Sequence, residues 1–137
     1  QMKAVVAGVG DLAIVNTYYV GKLLTSPDSL ERAVGQQIGI FFPNQEGRGT
    51  HINVSGAGVA KYAPNKANAI KFIEFLSSEA AQEIFSSSNF EYPVNPKVKM
   101  SPLLQSWGTF TEDQLSLSTL GALNKSAVLL FDQVGWK

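Results

Sequence analysis

Gly10-Asp11-Leu12-Ala13-Ile14-Val15-Asn16-Thr17-Tyr18-Tyr19 joins an apolar run to two capping residues and then to a pair of tyrosines. Asp11 to Val15 (DLAIV) follows a glycine and suits a buried strand of a mostly parallel sheet. Asn16 and Thr17 are good N-cap types, so a helix is expected from Tyr18 to Leu24. Strands alternating with helices make an α/β chain. In open α/β sheets ligands bind beyond the carboxyl ends of the strands, and Tyr18 and Tyr19 fall at such an end.

Upstream, Gln1-Met2-Lys3-Ala4-Val5-Val6-Ala7-Gly8 reads as the end of a helix with Gly8 as terminator, so the chain is expected to be a piece of a longer protein. Downstream, Ser26-Pro27-Asp28-Ser29-Leu30-Glu31-Arg32 offers a second helix start, and Ile38 to Phe42 a second apolar strand closed by Pro43. Residues 44–50 are polar and glycine-rich, hence a loop, and His51 to Tyr62 reads as an extended segment broken by Gly56 and Gly58. Asn65 caps an amphipathic helix with Ala69, Ile70, Ile73 and Leu76 on one face. Ser78 restarts a helix expected to bury Ala81, Ile84 and Phe85, and Ser86 to Asn89 reads as a polar break. Tyr92-Pro93-Val94-Asn95-Pro96 must be extended, because a residue before proline is pushed out of the helical region. After a turn at Trp107-Gly108, Leu115 to Gly135 carries apolar residues at helical spacing.

Bulk composition removes several classes of function. Eleven basic side chains balance eleven acidic ones, which argues against a phosphate-tracking nucleic-acid binder. The absence of cysteine excludes zinc-thiolate sites, iron–sulfur clusters and disulfide scaffolds. No apolar stretch approaches the roughly 20 residues that span a bilayer. The lone His51 has no partner at metal-ligand spacing and reads as structural. Val54-Ser55-Gly56-Ala57-Gly58 lacks the leading glycine of a hydrolase nucleophile elbow, and neither glycine cluster completes a phosphate-binding loop. No nucleophile–base constellation is legible, so an enzyme is not expected.

The tyrosine pair carries the remaining chemistry. A phenol ionises near pH 10, so phenolate is scarce at neutral pH unless a cation displaces the proton. Phenolate oxygen is a hard donor suited to a hard metal ion. Neighbours on a regular helix point about 100° apart, so both rings converge on one ion only at an irregular first turn. Two packing aromatics would satisfy the same dipeptide.

The string from Gly10 to Tyr19 resembles the signature strand and tyrosine pair of ferric-ion-binding periplasmic proteins, the receptor subunits of bacterial iron ABC importers. Phe42-Pro43-Asn44-Gln45, Gly49 to Val59, Ala69 to Gln82 (AIKFIEFLSSEAAQ), Glu91 to Pro96 and Phe131 to Trp136 are similar to the same family, in its order and spacing.

The resemblance implies the C-terminal portion of a two-lobed type II periplasmic-binding-protein fold, with an export signal upstream. Residues 1–48 would belong to the second lobe, 49–97 would return to the first through the hinge, and 98–137 would go back to the second. It implies Tyr18 and Tyr19 as metal ligands for Fe(III), the transported ligand, with further ligands from upstream or from a synergistic anion. The isolated chain is therefore expected to bind iron weakly or not at all. Lys22 is either a solvated helix-face lysine or a cation that compensates phenolate charge. Tyr92 is assigned to structure. The implied partners are ferric iron and an inner-membrane ABC permease, the protein acting as a periplasmic monomer when full length. A same-fold receptor for an organic anion, sulfate or polyamine is one rival, and the effector domain of a transcription regulator another.

Overall fold

The computed structural model describes residues 1–136. Helices run over Met2–Val6 (α1), Thr17–Leu24 (α2), Ser29–Gln36 (α3), Lys66–Leu76 (α4), Glu79–Ile84 (α5), Pro102–Ser106 (α6) and Leu117–Val134 (α7). A π-helical turn, Phe85–Asn89, continues α5.

The helix starts follow from side-chain caps. Asp28 accepts from the Leu30 amide, Ser78 from Ala81, Ser101 from Leu104 and Ser116 from Ser118. Each oxygen satisfies one of the amides that an α-helix leaves free at its first turn, a contribution of about 1 kcal/mol.

Where strands were expected, no ladder forms among the described residues. Residues 11–15 and 38–42 have neither helix nor strand pairing, and the contact of strand type is an isolated parallel bridge between Thr50 and Glu112. A strand is made by a neighbour's amides and carbonyls, and these runs have none beside them. Leu12 and Ile14 stand 89% exposed and Phe41 81%, the condition of sheet residues without a sheet around them.

The described chain divides into two compact units. The first comprises Gln1–Phe41 and Asn53–Thr109. Its buried apolar side chains are Val20 and Leu23 of α2, Ala81, Phe90, Val98 and Leu104. Leu104 is fully enclosed, worth roughly 2–3 kcal/mol of apolar burial. Helix α2 packs on α3, and its far side meets the π-helical turn and Phe90. Ile84, expected inside, is 58% exposed, and Gln82 is buried in its place. Its amide donates to the Leu76 carbonyl at 2.7 Å and its oxygen accepts from the Val94 amide at 2.8 Å, so α5 buries a polar side chain with both ends satisfied. The polar break is likewise an ordered turn: Ser86 is buried and accepts from the Ser101 amide at 2.8 Å.

The second unit comprises Phe42–Ile52 and the chain from Phe110 onward. Phe42 stacks on Phe110 with ring centroids 4.3 Å apart. The Thr50 amide donates to Thr111 and the Asp113 amide to the Thr50 carbonyl, both at 2.8 Å. Arg48 Nε donates to Asp113 at 2.6 Å, and Gln45 both donates to and accepts from Thr111. Helix α7 is exposed along its length, with Leu117, Leu123, Val128 and Phe131 each about half exposed or more.

Candidate metal site at the head of helix α2

Tyr18 and Tyr19 are the second and third residues of α2. In this first turn their rings lie 4.4 Å apart, tilted by 44°. Adjacent tyrosines further along a helix would diverge. Val20, Gly21 and Leu23 are buried and hold the helix down, while Tyr19 stays 47% exposed and Tyr18 half-buried.

Asn16 occupies the N-cap position with extended backbone, yet its side chain makes no cap bond. Its Nδ2 donates to the Tyr18 hydroxyl oxygen at 3.2 Å, and its Oδ1 accepts from Asn53 Nδ2 at 3.3 Å. Composition marks Asn16 as a cap, and that is its backbone role; the structure adds a second role for its side chain. Asn53, in the segment read as merely extended, was not legible as a neighbour of the tyrosines. Lys22 extends back over the pair, its Nζ 5.2 Å from the Tyr18 ring centre and 5.9 Å from that of Tyr19. Those are cation–π distances.

The two phenols are pushed in opposite directions. Tyr18 titrates below the ordinary tyrosine value, first because Tyr19 hydrogen-bonds to its oxygen, then because Asn16 does. Lys22 assists weakly, against partial desolvation and the Glu91 carboxylate. Tyr19 titrates above the ordinary value, chiefly because its proton is held in the bond to Tyr18, then because of the Tyr18 charge. A multivalent cation held by the two phenols would displace their protons and stabilise the doubly ionised form.

Other titratable residues lie elsewhere. His51 is exposed in the second unit, where its charge is a minor contributor to holding Asp113 low. Burial raises Tyr92 above the ordinary tyrosine value, in keeping with its assignment to structure. Among the described residues no three His, Asp or Glu side chains cluster as a metal site. No helix among them is long and apolar enough to cross a membrane.

Iron uptake protein A1 of Synechocystis sp. is 49% identical over 137 residues, which cover all of this chain and 38% of that protein. The major ferric iron-binding protein of Neisseria meningitidis serogroup A is 31% identical, with 99% of this chain and 40% of the relative covered. Among solved structures, Trichodesmium FutA in complex with iron and citrate ligands superposes with a TM-score of 0.93 at 50% identity, covering all of this chain and 43% of that one. The ferric binding protein from Campylobacter jejuni gives a TM-score of 0.96 at 42% identity, with the same coverage. The chain thus spans about two-fifths of the length of the curated relatives it matches, and its fold is a part of that two-lobed fold. These relatives are solute-binding proteins, not enzymes. Residues 2–112 match the family described as bacterial extracellular solute-binding protein, and the chain belongs to that family.

Proposed function

We propose that this chain serves a receptor that captures ferric iron, with Tyr18 and Tyr19 as two phenolate ligands. One observation carries the reading: the rings of two tyrosines meet at the first turn of α2, with an amide donor on one hydroxyl and an ammonium group over both rings. Hydrophobic packing alone requires neither the amide donor nor the ammonium group. Iron uptake and ferric iron-binding proteins among the relatives support the choice of cargo.

In this reading Fe(III) enters an open cleft, the phenolates displace water, and lobe closure completes the ligand shell. In the same reading the intact receptor's second lobe takes residues 1–48 and 98–137 and its first lobe 49–97, a division by family pattern rather than by the compact units of this chain alone. Further ligands come from outside this chain, a synergistic anion among them. The protein works in the periplasm as a monomer, and its closed form hands iron to an inner-membrane ABC permease.

A competition titration of the intact receptor tests the cargo. Ferric citrate is added in the presence of excess sulfate, a dicarboxylate or spermidine. Undiminished iron binding is expected. Tight binding of one of those solutes with no uptake of iron would overturn the proposal.

A further inference from the structure

Asn53 has no place in the ligand pair, yet it holds the residue that does touch it. Its Nδ2 donates to Asn16 Oδ1 at 3.3 Å, and the other end of the same amide, Asn16 Nδ2, donates to the Tyr18 oxygen at 3.2 Å. The three side chains thus form one directed chain ending on the Tyr18 oxygen.

An asparagine amide has a donor end and an acceptor end of nearly the same shape, so its sense is set by what it meets. Asn16 could face Tyr18 with either. Its oxygen would accept the phenol proton and favour a neutral tyrosine. Its NH2 group donates, the only role compatible with a phenolate, which can accept but not give. No backbone cap bond fixes the Asn16 side chain, so the choice falls to its other contact. A donor from Asn53 pins the Asn16 oxygen and turns the NH2 group toward Tyr18.

We infer that Asn53 is a positioning residue, which locks the Asn16 amide in the sense that presents N–H to the Tyr18 oxygen. The lock spans 37 positions and ties the non-helical segment from residue 51 onward to the residue that opens α2. Its value for iron capture rests on the reading of Tyr18 as a ligand, but the geometry itself does not.

Asn53→Asp replaces the donor by an acceptor of the same size. The Asn16 NH2 group then turns to the new carboxylate, leaving its oxygen toward Tyr18. In the apo receptor the Asn16 side-chain amide signals in a 15N–1H spectrum report this directly. With Asn53 present, Tyr18→Phe removes the acceptor and shifts those signals; in the Asn53→Asp background the same change leaves them nearly in place. Equal shifts in both backgrounds would overturn the inference. Asn53→Ala, which adds no charge, is expected to weaken ferric binding about five-fold, the loss of roughly one neutral hydrogen bond, with the phenolate-to-iron band retained. Unchanged affinity in Asn53→Ala would also count against it. A wild-type receptor with no such band would refute the iron reading and leave the spectral test of the amide intact.

Discussion

A single methyl group on Gly21 tests how α2 is seated beneath the tyrosines. Built onto this backbone, the new Cβ falls 2.4 Å from Phe90 Cγ and 2.7 Å from its Cβ and Cδ2. These are the stem of the ring rather than its tip. Phe90 is only 8% exposed and sits at φ 59°, so neither rotation nor a backbone adjustment clears the space easily. Helix propensity alone would make Gly21→Ala favourable by about 1 kcal/mol, because glycine is a poor residue in a helix interior. Overpacking a filled site costs about 1–3 kcal/mol, and this contact lies at the severe end. The expected net effect is a destabilisation of about 1–2 kcal/mol, read as a lower urea midpoint at constant m-value. The decisive arm is a cycle with Phe90→Ala. That variant loses stability by itself, but within it Gly21→Ala should become stabilising by about 1 kcal/mol, since only the propensity gain is left. A raised midpoint for Gly21→Ala with Phe90 intact would refute the packing argument.

Gly49 should tolerate substitution still less: at φ 89°, with an added Cβ 2.6 Å from the Glu112 carbonyl oxygen, Gly49→Ala is expected to cost roughly 2 kcal/mol or more and to expose the Thr50 amide to hydrogen exchange. Asp113 is held below the ordinary carboxylate range, first by its bond to Arg48, so its pairing adds stability above its unfolded value near pH 4 and loses it as pH falls through the depressed one. Asp113→Asn should therefore flatten the acid side of the stability profile measured by urea midpoints from pH 7 to 2; an unaltered profile would show that the pair contributes nothing. A spectrophotometric titration of the apo protein should resolve one phenol ionising below the ordinary tyrosine value, and Tyr19→Phe should raise it by removing the partner of Tyr18.

What the sequence made legible were the local features. Ser78 announces its helix because a cap bond spans two or three residues, and a turn stands at Trp107-Gly108 as read, although the short helix α6 before it was not. The meeting of Tyr18 and Tyr19 followed from their place at the first turn. Pairing was not legible. Asp11 to Val15 has a strand's composition, but composition cannot say whether a neighbouring strand is there, and none lies beside it among the described residues. Periodicity put Ile84 inside and missed Gln82, because a buried amide with partners at Leu76 and Val94 depends on how the chain returns after the turn. Asn53 escaped for the same reason, its partner being 37 residues away.

The central claim is that two adjacent phenols at the head of α2 become oxygen donors to one ferric ion. Visible absorption of the intact receptor during ferric loading measures it, since iron–phenolate bonds give a charge-transfer band that carboxylate or water ligands do not. The account predicts a strong band in the wild type, a weakened or shifted band in Tyr18→Phe and in Tyr19→Phe, and its loss in the double variant together with most of the affinity. A double variant that keeps both colour and affinity would contradict it.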